Sequence, residues 1–337
     1  MLLGNQGRCY LFLMRKNNPY KMSDIQKVID KINEKSYVID MGSNKIAAWL
    51  KVSPESVREA KKILRKKGMM SEVPGNKLNP KIVFLDIETA PLLAAVYQKQ
   101  VWKAKVRHDN VISDWFILTF SCKYLGSDQI ISDKLTSTEA INEDDSRLVG
   151  KLWYILSDAD IVICHGGDYF DIPNINSRFV LNGFGPPTYY KQIDTLKVAQ
   201  RQFGFTHNDL NALAEIFHIS SKIETTFELW KRCIRGDSSA LLEMELYNRH
   251  DVEILEKVYI KIRPWIKSHV NLSLYNESTE HTCPHCGGSN LKPDGGFYPT
   301  HTGKYPTYKC LDCGATPRAR KSVVPKGKNL LVSIPGR

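Results

Sequence analysis

The sequence predicts an α/β domain, a mixed sheet flanked by helices, set between a small all-helical module and a C-terminal module held by cysteines. Three observations carry this reading. Short apolar runs of strand length (KIVFL from Lys81, WFILTF from Trp115, IVIC from Ile161) alternate with helix-period segments over residues 81–265. Residues 23–67 show helical spacing alone, and four of the eight cysteines form two Cys-x-x-Cys pairs close to the C-terminus.

At 337 residues, the chain has room for one substantial core plus smaller modules. Its 42% hydrophobic and 25% charged content is that of a soluble globular protein. No apolar run approaches a membrane span, and MLLGNQGRCYLFLM is too short in its apolar part for a signal peptide, so the expected location is the cytoplasm. The net charge of +11 is unevenly placed. Residues 1–80 carry 16 Lys/Arg against 7 Asp/Glu, residues 81–280 carry 22 against 27, and residues 281–337 carry 9 against 2. An acidic middle between basic ends suits a metal-dependent centre flanked by polyanion-binding arms, although basic ends also fit plain solubility.

Residues 1–21 lack periodicity, and ordered chain is expected from Met22. A helix follows with Ser23 as N-cap and Ile25, Val28, Ile29 and Ile32 at helical spacing. SNKIAAWL supplies a second helix. A third starts at Ser53-Pro54 and runs through Val57, Ala60, Ile63 and Leu64 to Lys67, where Gly68 ends it. Helix, tight turn and basic helix resemble a helix-turn-helix unit. Arg58, Lys61, Lys62, Arg65 and Lys66 are expected on its exposed face, suited to phosphate contacts. The alternative is a helical cap with solvated lysines. SEVPGNKLNP (71–80) reads as a linker.

In the central domain, Asp86 and Glu88 follow the apolar run at Ile82–Leu85 and, two residues apart, point to one face of the strand. Two carboxylates there repel each other unless a hard cation such as Mg²⁺ or Mn²⁺ neutralises them. Residues 92–114 are expected to form a loop in which Trp102, Lys103 and Lys105 interleave an aromatic with cations, as a nucleic-acid strand would need. Tyr97 and Trp102 would equally serve as loop anchors. Strands are expected at 115–124, 129–132 and 161–164, with a helix over 144–156 between them. HGGDYFD (165–171) then leads into a helix that Asn182-Gly183 closes. Asp171 at its start either caps it or delivers a carboxylate to the C-terminal edge of the sheet. Asp168, in the same loop, is assigned no role. A strand at 189–194 ends in Asp194, expected to cap the next helix, and a long helix covers Ser238–Ile262. Tyr247 and Asp251, four residues apart, share one face of that helix.

Taken in order, LDIET, HGGDYFD and YNRHD resemble the three motifs of DEDD-type 3′–5′ exonucleases, in the DnaQ-like, ribonuclease H-like superfamily. Tyr-x-x-x-Asp in the third motif is nearest the DEDDy branch, and the resemblance spans roughly residues 80–265. It implies a ribonuclease H-like sheet, with Asp86, Glu88, Asp171 and Asp251 holding two Mg²⁺ or Mn²⁺ ions and Tyr247 positioning the attacking water. A histidine-branch enzyme would have His where this chain has Leu246, so His250 is not taken as a base. One departure is Gly166, where the second motif usually has Asn; it removes no metal ligand.

Cys283-Pro-His-Cys286 and Cys310-Leu-Asp-Cys313, each followed by Gly, are separated by 23 residues. Two such pairs form a tetrahedral four-thiolate site for one structural Zn²⁺, and the pattern resembles a zinc ribbon. The expected function is therefore a two-metal-ion nuclease, a 3′–5′ exonuclease releasing nucleoside monophosphates from DNA. Single strands or 3′ ends are the expected partner, and RNA remains open. Two alternatives keep the fold: a catalytically silent nucleic-acid-binding adaptor, and a structure-selective endonuclease or ribonuclease.

Overall fold

The computed structural model describes residues 22–34, 43–66, 80–96, 106–219, 223, 225–275, 280–325 and 331–332. The chain divides into two units, Met1–Lys77 and Leu78–Arg337. In the first, α1 (Met22–Glu34), α2 (Ser43–Leu50) and α3 (Pro54–Lys66) bury Ile25, Val28, Ile46, Val57 and Ala60. Ser23 lies inside the first turn of α1 and does not precede it. Ser53 Oγ accepts from the Ser56 N–H at 3.0 Å, so the expected cap of α3 forms.

Arg58 and Lys62 point to solvent on α3, pairing with Glu55 at 2.9 Å and Glu59 at 3.8 Å. Lys61 does not join them and is only 8% exposed. It follows Val57 by four residues, one helical turn, and so falls on the buried face; placing it on the exposed face was wrong. Arg65 and Lys66 belong to the last turn of α3. Trp102, Lys103 and Lys105 lie outside the described residues, as do the linker residues 71–79.

The second unit opens with β1 (Ile82–Thr89), followed by a small pair, β2 (Leu93–Ala94) and β3 (Val111–Ser113), within the stretch expected to be loop. Next come β4 (Ile117–Tyr124), β5 (Ile130–Lys134), α4 (Ser137–Ile141), α5 (Ser146–Asp158), β6 (Ile161–Cys164) and α6 (Asp171–Leu181). After them lie β7 (Lys191–Asp194), α7 (Thr195–Gln202), α8 (Leu210–Ile216), α9 (Phe227–Ile234) and α10 (Ser238–Ile262). The main sheet has the order β5-β4-β1-β6-β7. β4 runs antiparallel to β1 and β5 antiparallel to β4, whereas β6 and β7 continue the sheet in parallel from β1. β1 is longer than its apolar run, because pairing with β4 continues through Glu88 opposite Thr119 and carries both acids into the strand.

Alternation along β1 divides the core. Val83, Leu85 and Ile87 face a cluster that includes Leu152, Ile175, Phe179 and Met244. Ile82 and Phe84 face the other cluster, with Ile193, Val252, Leu255 and Tyr259. Phe84 and Tyr259 meet edge to face, ring centroids 5.4 Å apart. Asp86 and Glu88 continue the Ile82–Phe84 side, so the strand carries them toward α10.

At the C-terminal end, β8 (Leu291–Pro299) and β9 (Lys304–Cys310) form an antiparallel hairpin behind the two cysteine turns. This module is joined to the central domain by the Leu272 N–H donating to Pro284 O at 2.8 Å, and by His269, whose ring lies 5.5 Å from His285 and whose Nε2 is 2.7 Å from the Tyr259 hydroxyl. No helix among the described residues is long and apolar enough to cross a membrane.

Candidate active site

α10 runs antiparallel to β1 beneath the sheet. Tyr259 touches Phe84, and one helix repeat after another toward its N-terminus brings Leu255, then Asp251 and Asn248, toward the end of the strand. Carboxylate oxygens of Asp86, Glu88 and Asp251 consequently lie within 4.8 Å of one another. Asp171 is outside that group of three. Its Oδ1 accepts the Ile87 N–H at 3.1 Å, which ties the first turn of α6 to β1. The expectation that Asp171 reaches the sheet edge is met, and the capping alternative is not: its acceptor is engaged across the fold.

The electrostatics are those of crowded like charges. Burial, then the charges of Asp171, Glu88 and Asp251, push the Asp86 carboxyl well above the usual carboxylate range; the Asn248 hydrogen bond opposes this. Burial pushes Asp171 up to about 7 against the pull of the Ile87 N–H. The Tyr247 hydroxyl is also pushed up, by burial first, then by the charges of Asp251 and Glu88 and by its own hydrogen bond to Asp251. Its ring packs edge-on to Trp230, centroids 6.4 Å apart.

Asn248 was not among the residues expected at the site. It is fully buried, and its Nδ2 donates to Asp86 Oδ2 at 2.6 Å. The signal was present: Asn248 precedes Val252, Leu255 and Tyr259 by four, seven and eleven residues, which places an amide in an otherwise apolar stripe. Asp168 is turned aside by Lys197, which pairs with it, and by Gln192 Nε2 at 2.6 Å. Asp194 caps α7 through the Leu196 N–H at 3.0 Å, as expected, and also accepts the Gly166 N–H at 2.9 Å. His250 stands 3.9 Å from Glu253 and is not in the acidic group.

Gly166 has φ +78°, the left-handed region that Gly and Asn visit most readily, so the departure from Asn preserves the backbone path. At Gly167 a Cβ would lie 2.2 Å from the Cys164 Cβ, so the second motif needs glycine there for close approach to β6.

The donor chemistry fits hard divalent cations. The site offers carboxylate oxygens alone, and their mutual repulsion is what a Mg²⁺ or Mn²⁺ would relieve. The four cysteines fit a different ion. Their sulfurs lie within 4.8 Å of one another, with Cys283–Cys313 and Cys286–Cys310 each at 3.7 Å. A tetrahedron of Zn–S bonds of about 2.3 Å has an edge of about 3.8 Å, so the thiolates stand where zinc would hold them. Gly287 and Gly314, both at positive φ, let each turn fold back so that its N–H reaches the carbonyl of Cys283 or Cys310. His281 and His285, the other candidate ligands, instead lie against Tyr308 and His269.

Residues 112–263 match the family model of the RNase_H superfamily. The five-stranded mixed sheet with its flanking helices fits the ribonuclease H-like fold, the class to which this domain is assigned. The matched segment contains Asp171, Tyr247 and Asp251, while Asp86 and Glu88 join it through β1 at the centre of the sheet. Among solved structures, the chain is similar to the family B DNA polymerase from the hyperthermophilic archaeon Pyrobaculum calidifontis at 13% identity and a TM-score of 0.41. That similarity covers 58% of this chain and 27% of the polymerase, so the chain spans about a quarter of its length. No curated protein matches the sequence.

Proposed function

We propose that this protein is a metal-dependent nuclease of the DEDDy type, a 3′–5′ exonuclease that releases nucleoside monophosphates from DNA. The observation that carries the reading is the convergence of Asp86, Glu88 and Asp251 within 4.8 Å, with the charge of Asp171 bearing on Asp86. Two Mg²⁺ or Mn²⁺ ions bound by these four residues would supply an activated water and neutralise charge on the leaving oxygen.

The chain's own residues have distinct tasks. Asp86, pinned by Asn248, and Asp171, pinned by the Ile87 N–H, are carboxylates whose orientation is set before a cation arrives. Tyr247 works as a hydrogen-bond donor that orients the water. Its raised hydroxyl does not lose a proton near neutral pH, so it is no general base. The basic face of α3, with Arg58 and Lys62 exposed, serves as a helix-turn-helix-like contact for phosphates. The cysteine module is a zinc ribbon, whose ion supplies the stability that its small core (Cys283, Cys310 and Ala315) does not.

The test is end-labelled single-stranded DNA with Mg²⁺ or Mn²⁺, with linear against circular DNA and DNA against RNA in parallel. Asp86→Ala and Asp251→Ala are expected to abolish cleavage and retain binding. Cleavage at the parent rate by either variant refutes the ligand assignment. Absence of product from the parent at high enzyme favours the silent adaptor, and cutting of circular DNA the endonuclease.

A further inference from the structure

The hairpin β8–β9 exposes almost every residue of β8 and is extended by a third segment. The Tyr308 N–H donates to Pro317 O at 2.8 Å, the Ala319 N–H donates to Pro306 O at 2.7 Å, and Thr307 bridges Arg318. The register sorts its side chains. Tyr298 pairs with Tyr305 and Lys292 with Lys309, so these four share a face with Thr307 and Arg318. Pro293, Phe297, Pro306 and Tyr308 take the opposite face, where Tyr308 meets the His281 ring at 5.6 Å.

On the first face, the Arg318 guanidinium lies 4.3 Å from the Tyr305 ring centroid and 5.3 Å from that of Tyr298. A planar cation is thus laid on two aromatic rings, and Arg318 and Tyr298 remain exposed. Lys292 and Lys309 are exposed at one end of the face. The single acid close by, Asp294, accepts from Thr307 Oγ1 at 2.5 Å and from the Gly296 N–H at 2.8 Å. The surface therefore combines flat π-faces and a stacked guanidinium with cations that have no matching acids.

We propose that this face, built by Tyr298, Tyr305, Arg318, Lys292 and Lys309, is a binding site for single-stranded nucleic acid, separate from the carboxylate centre. Bases stack on the Tyr–Arg platform, and phosphates meet the lysines. Charge selects a polyanion. The flat rings select one whose bases are unstacked and free to lie on them, which excludes intact duplex. The site stands without the hydrolytic reading, because it uses none of the carboxylates.

The experiment follows fluorescein-labelled oligo(dT) by anisotropy, using the full chain carrying Asp86→Ala so that the strand is not consumed. Replacing Tyr298 and Tyr305 together by Ala should weaken binding about tenfold or more, the equivalent of ~1.4 kcal/mol. The Tyr→Phe pair, which keeps the rings, should bind as the parent does. Lys292→Ala with Lys309→Ala should flatten the slope of log affinity against log salt by about 0.7 per lost contact. Zinc content reports whether the module is intact. Arg318→Gln, which leaves both rings in place, serves if the Ala pair loses zinc, and should also weaken binding. Parent-like affinity in a zinc-replete Ala pair, or in Arg318→Gln, overturns the proposal and leaves the face to a protein partner. Photo-crosslinking with 5-iodo-deoxyuridine should label Tyr298 or Tyr305; labels confined to residues 22–66 would also overturn it. Hydrolysis of a nitrophenyl ester of thymidine monophosphate, too small to bridge to the hairpin, should be unchanged in the otherwise native Tyr variants, so failure of the nuclease reading shows separately.

Discussion

Asp171→Asn tests the crowded-carboxylate account most directly. Asn keeps an oxygen to accept the Ile87 N–H at the same place, so the change removes a charge and little else. Burial holds the Asp171 carboxyl at about 7 against an ordinary 3.8. Below about pH 4 it is protonated in folded and unfolded chains alike, and the effect vanishes. Between about pH 4 and 7 the unfolded chain ionises while the folded one resists, so stability is lost as pH rises. Above about 7 both are ionised and the loss is complete. Roughly three pH units at ~1.36 kcal/mol each give a penalty of up to about 4 kcal/mol at pH 8. With Mg²⁺ withheld, Asp171→Asn should thus melt about 10 °C above the parent at pH 8 and with it near pH 4, read by circular dichroism. Adding Mg²⁺ should raise the parent far more than the variant, since a cation binds the ionised form. A gain that does not depend on pH, or no gain at pH 8, would show that Asp171 is not held against its charge, and the electrostatic reasoning would fail.

Four further outcomes follow from the same geometry. Asn248→Leu deletes the donor 2.6 Å from Asp86 and should lower Mn²⁺ affinity by roughly 10–100-fold, measured by calorimetric titration. Tyr247→Phe should slow turnover about tenfold (~1.4 kcal/mol) without moving the pH profile, because its hydroxyl stays protonated throughout; unchanged turnover would reduce Tyr247 to packing. Gly167→Ala places a Cβ 2.2 Å from that of Cys164 and should cost on the order of 1–3 kcal/mol in a denaturant titration. Cys310→Ser should leave the protein without stoichiometric zinc and make residues 281–325 protease-sensitive, with the central domain's melt retained.

Much of the candidate site was legible in short stretches. The i, i+2 spacing put Asp86 and Glu88 on one face, Asp194 announced its cap, and the span Ser238–Ile262 of α10 was correct at both ends. These are local matters of backbone period and end-capping, and a few neighbouring residues decide them. The cysteine pairs were legible for a related reason, since each Cys-x-x-Cys closes its own turn.

What the sequence determined by itself was therefore the identity of the elements and the acids they carry. The fold decided which groups meet. Lys61 turned inward because a helix has no free face once it packs, and Asn248 reached Asp86 because α10 crosses under β1 at that level. Asp171 found the Ile87 N–H from 84 positions away, and Arg318 found two tyrosines through a register set by the hairpin. Such pairings depend on packing between elements distant in the chain, where burial and register set the outcome, and no local period records them.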